Sequence, residues 1–460
     1  MGSKKNAWLK FDDTKKEEIF SFCEGYKKYI SDCKTERESI KEAISLAESK
    51  GYRDLKNVIS AGKSLKAGDK VYYNNMDKSL ALFLIGSESI ESGMRIIGSH
   101  VDSPRLDLKP NPLYEDSELS LMETHYYGGV KKYQWVTIPL ALHGVVVKKD
   151  GTKIDVVVGE EETDPVVMVS DLLVHLASEQ QQKKATEVIA GEDLNILVGS
   201  MPLEGEEKEA VKANILKLLK EKYDFEEEDF MSAEIEIVPA GKARDLGLDR
   251  SMVAGYGHDD RICAYTSLLA LLETESTKKT SVVLLVDKEE VGSIGATGMQ
   301  SRFFENAVAE LMDRVGEYSE LKLRRALANS KMLSSDVTAA FDPNYAGAYE
   351  KKNSAFFGKG LAFAKYTGAR GKSGCNDANA EFVAWLRNVM DENDVAYQMA
   401  ELGKVDQGGG GTIAYILAEY GMEVIDCGVA LQNMHAPWEV ASKVDIFETM
   451  RGYKAFLMAE

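Results

Sequence analysis

The dipeptide Glu289-Glu290 stands at the end of the apolar run 281–287 (Ser-Val-Val-Leu-Leu-Val-Asp) and just ahead of the glycine-rich stretch 291–298. A β-branched run of that length reads as a buried strand, and the glycines behind it read as a turn. Two adjacent carboxylates at the carboxyl end of a buried strand repel each other and resist desolvation, so they are tolerable mainly beside a cation. A Glu pair is more often a solvated loop feature, so alone it only points to a metal-dependent enzyme. Other candidate residues fall in the same kind of place. The run 94–99 ends in His100-Val-Asp102-Ser-Pro104, the run 329–335 ends in Asp336, and the run 422–427 leads through Gly428 to Met434-His435. Gly257-His-Asp259-Asp260-Arg261 opens a helical stretch at 262–273. In open α/β sheets the functional crevice lies outside the carboxyl ends of the strands, where these acids and imidazoles would converge.

Carboxylates and imidazoles without cysteine suit borderline divalent ions, zinc first, with cobalt or manganese as alternatives. Two histidines and three carboxylates hold a pair of ions about 3.5–4 Å apart if one Asp bridges them. We assign Asp259 as the bridge, His100 and Asp336 to one ion, and Glu290 and His435 to the other. Glu289, beside a ligand but not itself one, is then placed to take a proton from water and later pass it to a leaving amine. Asp102, two residues beyond His100, is placed to accept the second imidazole N–H and so fix the tautomer.

These residues are recognisable together. His100-Val-Asp-Ser-Pro104, Asp259-Asp-Arg261, residues 287–293 (Asp-Lys-Glu-Glu-Val-Gly-Ser), Ser335-Asp336 and Met434-His435 resemble the M18 aspartyl aminopeptidase family of metallopeptidases, in order and spacing along nearly the whole chain. The resemblance implies a dinuclear zinc exopeptidase that removes single residues from peptide N-termini. It also implies a homo-oligomer, a tetrahedral dodecamer, whose inserted domain contributes to dimer contacts and to the substrate pocket. The sister M42 family shares the five-ligand set, but its first motif usually lacks the Ser-Pro that follows Asp102. An M42-like broad aminopeptidase or deacylase is the nearest alternative. A non-catalytic self-assembling scaffold is the more distant one, and a complete ligand set with Glu289 intact argues against it.

Composition sets consistent bounds. At 460 residues and 44% hydrophobic, the chain buries ample core and exceeds one ordinary domain. A formal net charge of -19 argues against nucleic acid or anionic membrane surfaces as partners. Five cysteines (Cys23, Cys33, Cys263, Cys375, Cys427) without metal-type spacing read as buried thiols of a reducing compartment. Residues 1–8 lack the apolar core of a signal peptide and no run approaches a membrane span, so a cytoplasmic protein is expected.

Helical periodicity covers 12–50, where Ile19, Phe20, Cys23, Tyr26, Ile30 and Cys33 form an apolar stripe expected to pack into the core. Strands follow near 80–86 and 94–99. After Pro110 short strand-like pieces dominate (135–138, 140–148, 153–158), with a charged helix at 206–223 and an acidic run, 226–229, read as a solvated loop. Long helices and apolar strands return from about 245. Because His100 precedes the middle piece and Asp259 follows it, the simplest layout is one α/β domain interrupted by an insertion. The expected fold is α/β, a mixed central sheet flanked by helices. The catalytic domain spans 1–108 and 245–460, and a β-rich domain is inserted at 109–244.

His175 lies in an apolar amphipathic pattern, where a core histidine is the default. The family resemblance instead implies that it lines the active site, as a metal ligand or as a substrate contact supplied by a neighbouring subunit. The five-residue set already completes both ions, which favours substrate contact. His258 reads as structural, His125 and His143 receive no role, and Trp135 fits either core packing or an aromatic family segment. Gly408–Gly411 lacks the Lys-Ser/Thr of a phosphate loop and precedes a helix at 412–420, so it is either a close-packing turn or a backbone approach to substrate. Lys365 and Lys372 lie near the family's basic specificity residue. Where the mammalian-type pattern has a histidine, three residues after Asp336, this chain has Ala339. A pocket for acidic side chains needs donors to offset carboxylate desolvation, so a preference for N-terminal Asp or Glu is left open.

Overall fold

In the computed structural model, which describes residues 5–460, the apolar runs that carry the candidate residues become neighbouring strands of one sheet. Residues 1–4, the start of the N-terminal stretch read above, lie outside the described residues. Among the described residues this sheet has nine strands, in the order Arg53–Asp54, Lys70–Asn75, Ser79–Leu84, Ser281–Val286, Arg95–His100, Lys331–Ser335, Glu423–Gly428, Leu361–Ala364, Tyr397–Met399. The four strands from Ser281–Val286 to Glu423–Gly428 run parallel, while Ser79–Leu84 and Leu361–Ala364 join them antiparallel on either side. The sheet is therefore mixed, as the sequence reading expects.

Side chains alternate between its faces. Leu82, Ile97, Val283, Leu333 and Ile425 enter one core, with Leu268, Leu271, Val444 and Phe447 from the helices His258–Leu272 and Lys443–Met458. Phe83, Ile96, Val282, Met332 and Val424 enter the other, with Phe304, Leu311 and Leu327 from Phe303–Arg314 and Glu320–Ala328. Burial on both faces is why these strands read as unbroken apolar runs rather than alternating ones. Most of the N-terminal stripe packs as expected: Ile19, Cys23, Tyr26, Ile30 and Cys33 are buried, on Asp13–Asp32 and its C-cap, while Phe20 is only half-buried.

The chain divides into two compact units. One comprises Met1–Asp102, Ala243–Met434 and Glu439–Glu460, and the other Ser103–Lys242 with His435–Trp438. The second unit is built on an antiparallel sheet, ordered Lys153–Val158, Leu140–Val147, Ala233–Pro239, Arg105–Asp116, Leu119–Tyr127, Ile196–Gly199, Met168–Val169. No helix among the described residues is long and apolar enough to cross a membrane.

Several local readings change. Residues 135–138 are not a strand, because Thr137 has φ +59°, a left-handed conformation that breaks extended backbone, and Trp135 is fully buried in the core. Around His175 there is only a 3-10 turn, Val174–Leu176, with its side chains exposed, so His175 is not a core histidine. Short apolar runs cannot be told apart by periodicity alone. The helix after the glycines spans only Ala414–Ala418. The acidic run at 226–229 is partly structural. Asp229 is buried and accepts the Glu226 N–H at 2.9 Å, between the buried Phe225 and Phe230.

Candidate metal centre

Four elements of the first unit deliver candidate side chains to the carboxyl end of the parallel strands. His100 ends its strand and Asp336 follows Lys331–Ser335. Glu289 and Glu290 sit on a 3-10 turn beyond Ser281–Val286, and Asp259 lies in the first turn of His258–Leu272. His100 Nε2 is 3.2 Å from Asp259 Oδ1, 3.9 Å from Glu289 Oε2 and 3.9 Å from Asp336 Oδ1. Ligand atoms of His100, Glu289 and Glu290 lie within 4.8 Å of one another, as do those of His100, Asp260 and Asp336.

Main-chain contacts fix how these groups face. His100 Nδ1 lies 2.9 Å from the Asp102 carbonyl oxygen. A carbonyl only accepts, so Nδ1 carries the proton and Nε2 presents its lone pair. The Asp102 carboxylate is buried and serves both sides: Oδ1 is 3.3 Å from His100 Nδ1, while Oδ1 and Oδ2 accept the main-chain N–H groups of Glu289 and Glu290, each at 3.2 Å. Asp102 thus ties the His100 strand to the turn that carries the Glu pair. Gln300 braces the same turn, donating from Nε2 to the Gly292 carbonyl at 2.9 Å. Gly428 has to be glycine, since a Cβ there would stand 2.0 Å from the Asp336 carbonyl oxygen.

The electrostatics ask for positive charge. Burial pushes the Asp336 carboxyl well above its ordinary range, with the charges of Asp259, Glu289 and Asp426 adding to the effect and His100 opposing it. Asp260 is raised in the same way by burial and by Asp336. Burial works to lower His100, but the negative carboxylates of Asp102, Asp259 and Asp336 beside it outweigh that and raise the imidazole. A buried Nε2 with no hydrogen-bond partner, facing three carboxylates, is a donor set that fits a borderline divalent cation.

His435 lies in the 435–438 segment of the second unit, with φ +65° and Nδ1 2.9 Å from the Gly129 carbonyl oxygen, so it too carries its proton on Nδ1. Lys365 and Lys372 share one partner: their Nζ atoms lie 2.6 and 2.9 Å from the two carboxylate oxygens of Asp377. Tyr26 caps the buried His258, with its hydroxyl 2.5 Å from Nδ1. Thr412, after the glycines, hydrogen-bonds Asp426 Oδ1 at 2.5 Å. Cys23, Cys33, Cys263 and Cys427 are buried and free, while Cys375 is partly exposed. Two acids escaped the sequence reading. Asp260 accepts the His100 N–H at 3.3 Å, and its only signal was the Asp-Asp doublet. Glu439 accepts the Asp259 N–H at 3.1 Å, and nothing in the sequence marks it.

A family model described as aminopeptidase I zinc metalloprotease (M18) matches residues 29–457. A probable M18 family aminopeptidase 1 of Clostridium acetobutylicum is 66% identical over 454 residues, 98% of each chain. Two solved structures superpose closely. An M18 family aminopeptidase from Thermotoga maritima has a TM-score of 0.95 at 45% identity, and aminopeptidase I from Clostridium acetobutylicum has 0.93 at 65%, each covering 99% of both chains. Agreement of sequence, fold and donor chemistry over this length leaves one assignment: the chain belongs to the aminopeptidase I zinc metalloprotease (M18) family.

Proposed function

We propose that the chain is a dinuclear-metal aminopeptidase, with His100 and Asp336 on one zinc, Glu290 and His435 on the other, and Asp259 bridging. The observation that carries this reading is shared by the two histidines. Each turns Nδ1–H to a main-chain carbonyl, His100 to Asp102 and His435 to Gly129, which leaves Nε2 as a metal donor. When bound, such a pair of ions supplies Lewis acidity toward water and the scissile carbonyl. Glu289 takes the proton of the attacking water and returns it to the leaving amine. Asp102 orients the Glu289 main chain for that exchange.

Strict acidic specificity has little support: Ala339 offers no donor, and Lys365 and Lys372 are both already paired with Asp377. One feature favours the acidic reading, a cavity of about 360 Å3 lined by Arg370, Lys372 and Lys404 with Glu401. We propose a broad preference in which Asp and Glu are accepted rather than required. The chain is also proposed to act as a homo-oligomer, in the dodecameric arrangement its family resemblance implies, with His175 presented to a neighbouring subunit's substrate. Leu172, Leu173, Val174 and Leu176 around it are 46, 55, 68 and 66% exposed, an apolar run that invites a partner.

The test is hydrolysis of aminoacyl substrates bearing Asp, Glu, Leu, Lys or Ala, before and after chelation and zinc add-back. Chelator-sensitive cleavage with Leu or Ala at least comparable to Asp is the expected result. Cleavage of Asp and Glu alone would overturn the broad preference, and no cleavage with any metal would overturn the enzyme reading.

A further inference from the structure

We infer that Glu439 is a positioning residue that holds Asp259, through its main chain, in the orientation bridging requires; this rests on the dinuclear reading above. A bridging carboxylate needs both of its oxygens presented to the ions, so the backbone beneath it has to be fixed by something else. The turn leading to Asp259 is fixed on one side by Arg261, whose buried guanidinium donates from Nη2 to the Tyr256 carbonyl at 3.1 Å and from Nε to the Gly257 carbonyl at 3.2 Å. Gly257, at φ +73°, admits this: a Cβ there would lie 1.6 Å from Arg261 Nη2. Arg261 holds the carbonyls of the turn but not the amide of Asp259, and that amide donates to Glu439 Oε2 at 3.1 Å.

Glu439 is itself held firmly. It begins the Glu439–Ser442 strand, paired opposite Gly255 of Met252–Gly255, the strand that feeds the turn. Its side chain is 1% exposed, and Asp259 is 3% exposed. A buried carboxylate survives only if it is hydrogen-bonded, and one oxygen of Glu439 accepts the amide of Asp259 itself. Outer partners of this kind typically change metal affinity by about 10–100-fold.

The experiment compares purified wild type, Glu439→Ala and Glu439→Gln by zinc competition against a chromophoric chelator, alongside kcat and KM at saturating zinc. Glu439→Gln keeps an acceptor for the amide and should stay within about 3-fold of wild type in zinc affinity, whereas Glu439→Ala should bind one zinc about 10–100-fold more weakly and lose kcat with little change in KM. Wild-type zinc affinity in Glu439→Ala would overturn the inference. So would Gln and Ala variants equally impaired, since charge rather than the hydrogen bond would then be acting. If Glu439→Ala fails to fold, Glu439→Asp, which withdraws the carboxylate by one methylene, should weaken zinc by about 10-fold, and unchanged affinity overturns the proposal. Wild type binding fewer than two zinc ions would instead sink the dinuclear reading, before any variant is compared.

Discussion

In the proposed scheme Glu289 has a proton-transfer role that no neighbour takes over, because Glu290 is assigned to metal and Asp102 is committed to two main-chain amides. Glu289→Gln preserves shape and removes the base. It should lower kcat by about 100-fold or more while zinc content and thermal midpoint stay at wild-type values. Equal kcat in that variant would remove Glu289 from the proton shuttle. Asp102 shows what residue-level reading can and cannot reach. That a carboxylate two residues after His100 would matter follows from side-chain reach. That its oxygens would also seat the Glu289 and Glu290 amides depends on a turn 187 residues away in sequence, which local spacing does not encode.

At the scale of elements, one ion triad, partly exposed at Lys27 and Asp245 and buried at Lys443, holds three segments together. Lys443, at the start of the Lys443–Met458 helix, is wholly buried and donates to Asp245 Oδ1 at 2.7 Å, and Lys27 of Asp13–Asp32 donates to the same oxygen at 2.7 Å. Removing the shared acid strands a charge in the core. Asp245→Asn should therefore destabilise the fold by roughly 3 kcal/mol in urea denaturation near neutral pH. Burial alone would raise Asp245, but the hydrogen bonds from Lys27 and Lys443 prevail and hold it below the ordinary carboxylate range. A depressed folded-state pKa contributes stability that is complete above the unfolded value, about 3.9, and is lost as pH falls through the folded one. The gap between wild type and Asp245→Asn should thus be constant above about pH 5 and shrink below pH 4. A gap that widens in acid would contradict this account.

For the whole molecule, ligand linkage and association are the levers. If zinc binds only the folded chain, each ion at free zinc 100-fold above its Kd adds about 2.7 kcal/mol. Chelation should lower the thermal midpoint by several degrees, and zinc add-back should restore it. The protein should nonetheless stay folded without metal, because both faces of the nine-stranded sheet are covered by apolar helices independently of the centre. Unfolding on chelation at room temperature would show that the metals are structural. The exposed run 172–176 gives a second test: Leu173→Asp with Leu176→Asp should reduce the native mass in light scattering without reducing helix content. An unchanged mass would place the subunit interface elsewhere.

The sequence by itself determined the α/β class, the helix stripe at Ile19–Cys33 and the apolar strands, because burial on two faces writes continuous apolar runs and helix packing writes a 3.6-residue period. It also carried the family assignment, since the motifs lie at the strand ends where chemistry constrains residue type most. Only the tertiary structure decided that residues 435–438 pack with the second unit, that Asp377 pairs with both Lys365 and Lys372, that Leu172–Leu176 faces outward, and that Glu439 reaches the Asp259 amide. Each of these is a contact between segments distant in sequence or a matter of which face meets solvent. Periodicity and spacing report only what a residue's near neighbours along the chain require.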